Sequence, residues 1–251
     1  MKTTFSRFKI IIGMTALLCL AVAFAPAQVK VQVGGGLGVV VPSSDFGGST
    51  VDYYSGTKYG LSTGYNIHGK ARFGVLGFAL VGGVDYASLS NSGNSEPGIG
   101  KVEVNQKILS LKVGPEFNIN IPLSPVKPYL DVTIAVNRFS GETTFQGVSK
   151  VSSATYVVES VTRIGLGAGG GVVISLGPLL NLDIGLHYNL MNLAGKSWND
   201  VNPLQDQRID SYLSLNDDKD PLYSAGSDKH FIGNSRSIHS IQLTASVLFG
   251  L

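Results

Sequence analysis

From His239 to Leu251 the odd positions read His, Ile, Leu, Ala, Val, Phe and Leu, and the even positions from Ser240 read Ser, Gln, Thr, Ser, Leu and Gly. Successive side chains of a strand point to opposite faces, so this pattern predicts one strand with a greasy face and a polar or small face. The same two-residue period recurs upstream. Leu180, Leu182, Ile184, Leu186, Tyr188 and Leu190 oppose Asn181, Asp183, Gly185, His187 and Asn189. Ile164, Leu166, Ala168, Val172, Ile174 and Leu176 oppose Arg163 and the glycines at 165, 167, 169 and 171.

Five further segments complete the set. Leu130, Val132, Ile134 and Val136 alternate with Asp131, Thr133, Ala135 and Asn137. Leu109, Leu111, Val113, Phe117, Ile119 and Ile121 alternate with Ser110, Lys112, Gly114, Glu116, Asn118 and Asn120. Phe78, Leu80, Val84 and Tyr86 face away from Ala79, Val81, Gly83 and Asp85. Tyr59, Leu61, Tyr65, Ile67 and Phe73 oppose Ser62, Asn66, His68, Lys70 and Arg72. The first segment, Val29 to Val41, sets its valines and Leu37 against Lys30, Gln32, Gly34, Gly36 and Gly38. Eight strands result.

Connection lengths alternate as well. Short turns near Phe73–Gly77, Pro122–Pro128 and Gly177–Leu179 contrast with long polar connections near 42–58, 89–105, 140–160 and 193–236. If the N-terminus starts on one side of a membrane, all four long connections fall on the other. Composition points the same way. The 251-residue chain is 43% hydrophobic and only 14% charged, yet no stretch after residue 27 is long and apolar enough for a membrane helix. A soluble barrel would hide its apolar face inside. Here the polar face is rich in glycine and carries few charges of both signs, as a crowded lumen would. The apolar face carries aromatics suited to membrane interfaces, Tyr59, Tyr65, Phe73, Phe78, Tyr86, Phe117, Tyr188 and Phe249. The expectation is an all-β, eight-stranded, antiparallel, up-and-down transmembrane β-barrel.

Residues 1–27 read as an export signal peptide: Lys2, Arg7 and Lys9 precede an apolar run from Ile10 to Phe24, and Ala25-Pro26-Ala27 supplies a small-residue cleavage site. The barrel domain is then 28–251. The one cysteine, Cys19, leaves with the signal, so no disulfide framework is expected. Loss of three basic residues turns a net charge of +2 into 16 basic against 17 acidic side chains, with no basic patch for nucleic acid.

Over residues 28–251 the chain resembles the bacterial outer-membrane β-barrel domain family, the small eight-stranded barrels similar to the outer-membrane protein A transmembrane domain and the X-type and opacity proteins. The resemblance rests on the export signal, the Val33-Gly34-Gly35-Gly36-Leu37-Gly38 opening, the Leu182-Asp183-Ile184-Gly185-Leu186-His187-Tyr188 strand and the Ile241–Leu251 strand. It implies the bacterial cell outer membrane, contact with outer-membrane lipid and lipopolysaccharide, and recognition of strand 239–251 by the assembly machinery. The family's terminal strand usually ends in an aromatic residue; here Leu251 is last and Phe249 lies two residues earlier on the same face.

An eight-stranded lumen is just wide enough to be filled by side chains. Parity sends Lys30, Lys70, Arg72, Asp85, Lys112, Glu116, Asp131, Arg163, Asp183 and His187 inward, where buried charge must be paired. They form either a structural plug or, with Glu116, Asp131, Lys70 and Arg72 as gate residues, a narrow gated pore.

Motifs suggesting chemistry fit poorly. Gly60-Leu61-Ser62-Thr63-Gly64 matches a nucleophile elbow, but no helical pattern follows Ser62. Gly165-Leu166-Gly167-Ala168-Gly169-Gly170 matches a dinucleotide fingerprint, but Val172-Val173-Ile174 continues as strand. Asn216, Asp218 and Asp220 begin like a calcium loop, yet Pro221 stands where glycine is needed, so a solvated acidic loop is expected. No catalytic residue, cofactor or metal is expected. The working surface is assigned to the outer loops, above all 193–236, with Trp198, Tyr212, Tyr223 and Phe231 as a binding surface or as internal packing. The functional expectation is a non-enzymatic structural or surface-interaction protein. A pore or lateral transport path for small solutes is the alternative, and a lipid-modifying enzyme stands third.

Overall fold

The computed structural model describes residues 29–75, 77–199, 210–224 and 232–250; the predicted signal peptide and Phe231 lie outside them. Eight strands run in order: β1 Lys30–Ser44, β2 Gly64–Val75, β3 Phe78–Gly93, β4 Lys101–Asn118, β5 Val126–Gln146, β6 Ala154–Ser175, β7 Leu180–Ala194 and β8 Ile238–Gly250. Each pairs antiparallel with the next, and β8 returns to β1 from Gln32 opposite Gly250 to Ser44 opposite Ile238. The sheet is a closed barrel. No edge is left through the paired span, which is what lets strands cross a lipid layer with every backbone group satisfied. Among the described residues no helix is long and apolar enough to cross.

The faces sort as parity predicts. Leu37, Ile67, Leu111, Ile134 and Leu186 are exposed on the outside, while Asn66, Glu116, Asn137 and Asp183 are buried within. At about 3.3 Å per residue and a tilt near 40°, the run from Leu180 to Leu190 rises roughly 25 Å, the height of an apolar belt. Glycine makes the closing seam. A Cβ on Gly34 would collide with the Val247 carbonyl oxygen, and one on Gly36 with that of Ala245. The crowding comes from backbone, so no rotamer change relieves it.

Two of the long connections, 45–63 and 195–237, stay long; the other two, 94–100 and 147–153, are much shorter than the alternation predicts, because β3 to β6 continue well past the apolar belt. The signal is lost there for a physical reason: the interior inverts. On β4 the inward positions Ser110, Lys112 and Glu116 are polar, but Ile108, Val104 and Val102, on the same side of the strand, are apolar and buried. Leu89 on β3 and Phe139 and Phe145 on β5 behave likewise. Beyond the belt the outside is water, and the strands follow the rule of a soluble protein.

That apolar interior is roofed by the long connections. Helix α1, Thr50–Tyr54, is started by a reciprocal capping box between Ser49 and Asp52, and a short helical turn, α2, covers Asp210–Leu213. Tyr212 packs on Phe145 with ring centroids 4.7 Å apart and on Tyr53 at 5.5 Å. The hydroxyls are also used. Tyr53 meets Thr143 at 2.7 Å, and Tyr54 donates to the Ser149 carbonyl at 2.6 Å. Burial pushes the Tyr53 phenol up to about 12, against the hydrogen bond from Thr143. Tyr59 and Leu61, predicted on the lipid face, are instead buried in this cap, since β2 begins only at Gly64. The acidic loop is not the solvated one that the sequence predicts: Asn216, Asp217 and Asp220 are buried, and of its acidic side chains only Asp218 is exposed.

A valine at Gly36 is expected to cost about 1–3 kcal/mol through overpacking at the seam. Electrophoresis without heating should then show a larger unfolded fraction for Gly36→Val than for wild type, whereas a similar change at open Gly177 should leave the folded band intact.

Candidate functional site

The lumen is organised in layers. Nearest the short turns, Arg72 Nη2 donates to Glu116 Oε2 at 2.8 Å, and its Nε stands 2.7 Å from Oε1 as an ion pair outside hydrogen-bond alignment. Arg72 Nη2 also reaches Asp183 Oδ2 at 3.3 Å, which Lys70 Nζ meets at 2.6 Å. Tyr129 donates its hydroxyl to Asp183 Oδ1 at 2.7 Å. Its ring lies under both cations, 4.6 Å from Lys70 Nζ and 5.0 Å from the Arg72 guanidinium carbon. Three of the four predicted gate residues therefore form one cluster.

Asp131, the fourth, is elsewhere. It accepts from His187 Nε2 at 2.9 Å across the β5–β6–β7 wall. A second layer is centred on Asp85, which accepts from Lys112, Asn66 and Gln242 at 3.1, 3.0 and 2.9 Å. A cavity of about 70 Å³ separates the layers, lined by His68, Lys70, Asp85, Lys112, Asp131 and His187 among others. It has room for a few waters.

Two predicted lumen charges take other positions. Lys30 has inward parity but is exposed at the short-turn mouth, where it lines a vestibule of about 460 Å³ with Lys127, Arg72 and Asn181. Arg163 points into the far end, where its Nε and Nη2 clamp Asp217 at 2.9 and 2.7 Å. Asn192 and the Ser197 amide also donate to Asp217, at 2.9 and 3.0 Å. Arg236 caps the Asn216 carbonyl at 2.7 Å and lies 4.0 Å over the Tyr59 ring. These bonds fasten the longest connection onto the barrel.

Parity could have found Tyr129, Asn66 and Gln242. Nothing local marks Asp217 or Arg236, whose partners lie far away in sequence. Of the aromatics expected to form either a binding surface or internal packing, Tyr212 is buried in the cap core, while Trp198 and Tyr223 are half-buried.

One contact imitates a catalytic pair. His68 Nε2 lies 2.6 Å from Ser246 Oγ, and its Nδ1 lies 3.2 Å from Asn66 Nδ2. The Asp85 carboxylate orients that amide with its NH2 toward both groups. His68 Nδ1 therefore accepts, and the ring proton sits on Nε2, pointing at the serine. A general base needs a free lone pair there, so the arrangement does not activate Ser246. Ser62 is exposed in the connection before β2, and Gly165–Gly170 lie inside β6. Among the described residues no three or more His, Cys, Asp or Glu side chains gather as a metal site.

A closed ring of eight strands with lipid-compatible outside and paired charges within defines a transmembrane β-barrel. The chain belongs to the outer membrane protein beta-barrel domain family, whose model matches residues 13–208, and this places it in the bacterial outer membrane. In outer-membrane barrels generally, long connections lie outside the cell and short turns in the periplasm, and that rule would put the four long connections of this chain outside. Similar solved structures include Neisserial surface protein A, at 19% identity over 90% of this chain and 99% of that one, with a TM-score of 0.47. A major outer membrane protein from Thermus thermophilus is 16% identical over 89% and 100%, with a TM-score of 0.49. OprG from Pseudomonas aeruginosa is 11% identical over 90% and 97%, with a TM-score of 0.47. No curated protein sequence matches.

Burial alone would raise the Asp217 carboxyl, but Arg163, the Ser197 amide and Asn192 hold it below the ordinary aspartate value of 3.8. Its stabilising contribution is complete above about pH 4 and is lost as pH falls through the depressed value. Asp217→Asn should therefore make the cap more sensitive to limited proteolysis at neutral pH, and wild type should approach that sensitivity only in acid. Inside the belt, Glu116→Ala leaves Arg72 short of a partner and should cost about 3–5 kcal/mol in urea unfolding.

Proposed function

We propose that the protein is a non-enzymatic barrel whose work is done at the cell surface by its extracellular cap. The observation that carries this reading is the cap's own buried core. Phe46, Tyr53, Tyr54, Tyr59, Phe139, Phe145 and Tyr212 are almost wholly withdrawn from water above the belt. Loops that only connected strands would need no such core. A core fixes the shape of the surface over it, as a recognition surface requires. The test is to replace 45–63 and 195–237 with short turns and measure binding of whole cells to host-cell or matrix surfaces. Binding that falls to the level of cells lacking the protein supports the reading, provided the variant still gives a heat-modifiable barrel. Undiminished binding rejects it.

The inner cavity and the vestibule favour a second reading, a gated pore. Its obstacle is the cluster between them, where Arg72 lines one space and Lys70 the other. Wild type in planar bilayers is expected to show no steady single-channel conductance. Arg72→Ala combined with Glu116→Ala should open a small one, because removing both partners takes out the plug without stranding a charge. Lipid turnover is not expected: lipid masses from cells expressing wild type and Ser246→Ala should be the same. Lipopolysaccharide around the outer belt and the assembly machinery at 239–251 are the partners proposed for biogenesis.

A further inference from the structure

The vestibule at the short-turn end is lined by charge of one sign. The vestibule of about 460 Å³ is lined by Lys30, Lys127 and Arg72 and, among the described residues, by no carboxylate. The three short turns, 76–77, 119–125 and 176–179, contain no Asp or Glu either. Arg72 is already neutralised by Glu116 and Asp183 on its inner side. Lys30 and Lys127 have no ion-pair partner among the described residues, although both project from strand ends into the same space.

Neutral donors accompany them. Asn181 uses its Oδ1 to accept from Ser175 at 3.1 Å, which leaves its NH2 without a protein partner among the described residues. Gln32 presents its Oε1 to Arg72 at 3.2 Å, so its NH2 is likewise available. Two ammonium groups and two amide donors thus line one blind space, closed from above by the Arg72–Glu116–Asp183 cluster. Ammonium groups crowded together repel, and an oxyanion between them removes the repulsion while accepting their hydrogen bonds.

We propose that this vestibule binds a phosphate-bearing anion between Lys30 and Lys127, with the side-chain amides of Asn181 and Gln32 as directional donors. The phosphate comes either from a small periplasmic solute or from the headgroup of an inner-leaflet lipid at the rim. With the Arg72–Glu116–Asp183 cluster in place the vestibule opens only toward the short-turn side, so the anion enters and leaves from there. The site is independent of the cap.

The test follows the side-chain amide resonances of Asn181 and Gln32 in the full-length folded barrel. In an uncharged maltoside detergent, inorganic phosphate is expected to shift them saturably, where chloride at the same ionic strength does not. Lys30→Gln and Lys127→Gln should each weaken that binding roughly tenfold, the size of one charge-assisted hydrogen bond, and Lys127→Arg should retain it. Shifts that appear only when phosphatidylglycerol is added to phosphatidylcholine nanodiscs, with the same loss in both glutamine variants, assign the phosphate to a lipid headgroup. Lys30 and Lys127 lie at the rim, so the heat-modifiable band should persist in all three variants. The absence of saturable shifts from both sources would overturn the site, since the ammonium charges would then be neutralised within the chain. Glutamine variants that bind as well as wild type would overturn it too.

Discussion

A barrel of eight strands has no room for bulk water, so any charge that the alternating pattern sends inward must find its counter-charge there. The Arg72–Glu116–Asp183–Lys70 cluster answers that constraint near the periplasmic side, and Lys112 with Asp85 answers it in the next layer. Removing two ions from water is costly, and their attraction offsets the cost only when the remaining donors and acceptors are satisfied as well. Tyr129, Asn66, Gln32 and Gln242 supply part of those remaining bonds, while Arg72 Nε and Glu116 Oε1 face each other only as an ion pair. Their length and direction fix the distance between opposite walls, and so the charge layers act as internal struts as well as a plug.

The same strands are asked to live in two solvents. Within the belt, lipid makes the outside apolar and leaves the inside to polar groups. Above it, water takes the outside and the inside becomes an apolar core. Because the side-chain period stays at two throughout, the change needs no break in the backbone, only a change of residue type along one face: Glu116, Lys112 and Ser110 give way to Ile108, Val104 and Val102. The β-bulge between Phe139 and Gly141 and the register shift between Ile164 and Leu166 fall near this change. Bulges add local twist, which helps the sheet turn from cylinder to cap.

This inversion explains what could be read from the chain and what could not. Strand number, order, faces and the positions of the short turns follow from period-two alternation, because inside the belt the two faces differ sharply in polarity. The upper halves of β3 to β6 escape that reading: where Lys107, Asn105 and Glu103 face water, the apolar residues have moved to the other side, and the sequence resembles polar loop. Tyr59 and Leu61 mislead for the related reason that an apolar side chain suits lipid or a core equally well. Lumen residues were legible by parity, but their partners depend on register across the barrel. That is why Asp131 pairs with His187 and not with the arginine cluster. Parity sends Arg163 inward but carries no sign of its partner, Asp217, which comes from a loop more than fifty residues on.

The cap draws its core from four strand extensions and at least two loops. Tyr212 touches Tyr53 and Phe145, residues more than sixty positions away in the chain. No single loop contains the surface it helps to present. An antibody raised against a linear peptide from 195–237 would meet a shape that the intact cell never displays, whereas one raised against the folded barrel would see an epitope assembled from several loops at once. In such a surface one loop can change its exposed residues while the buried tyrosines keep the others in place.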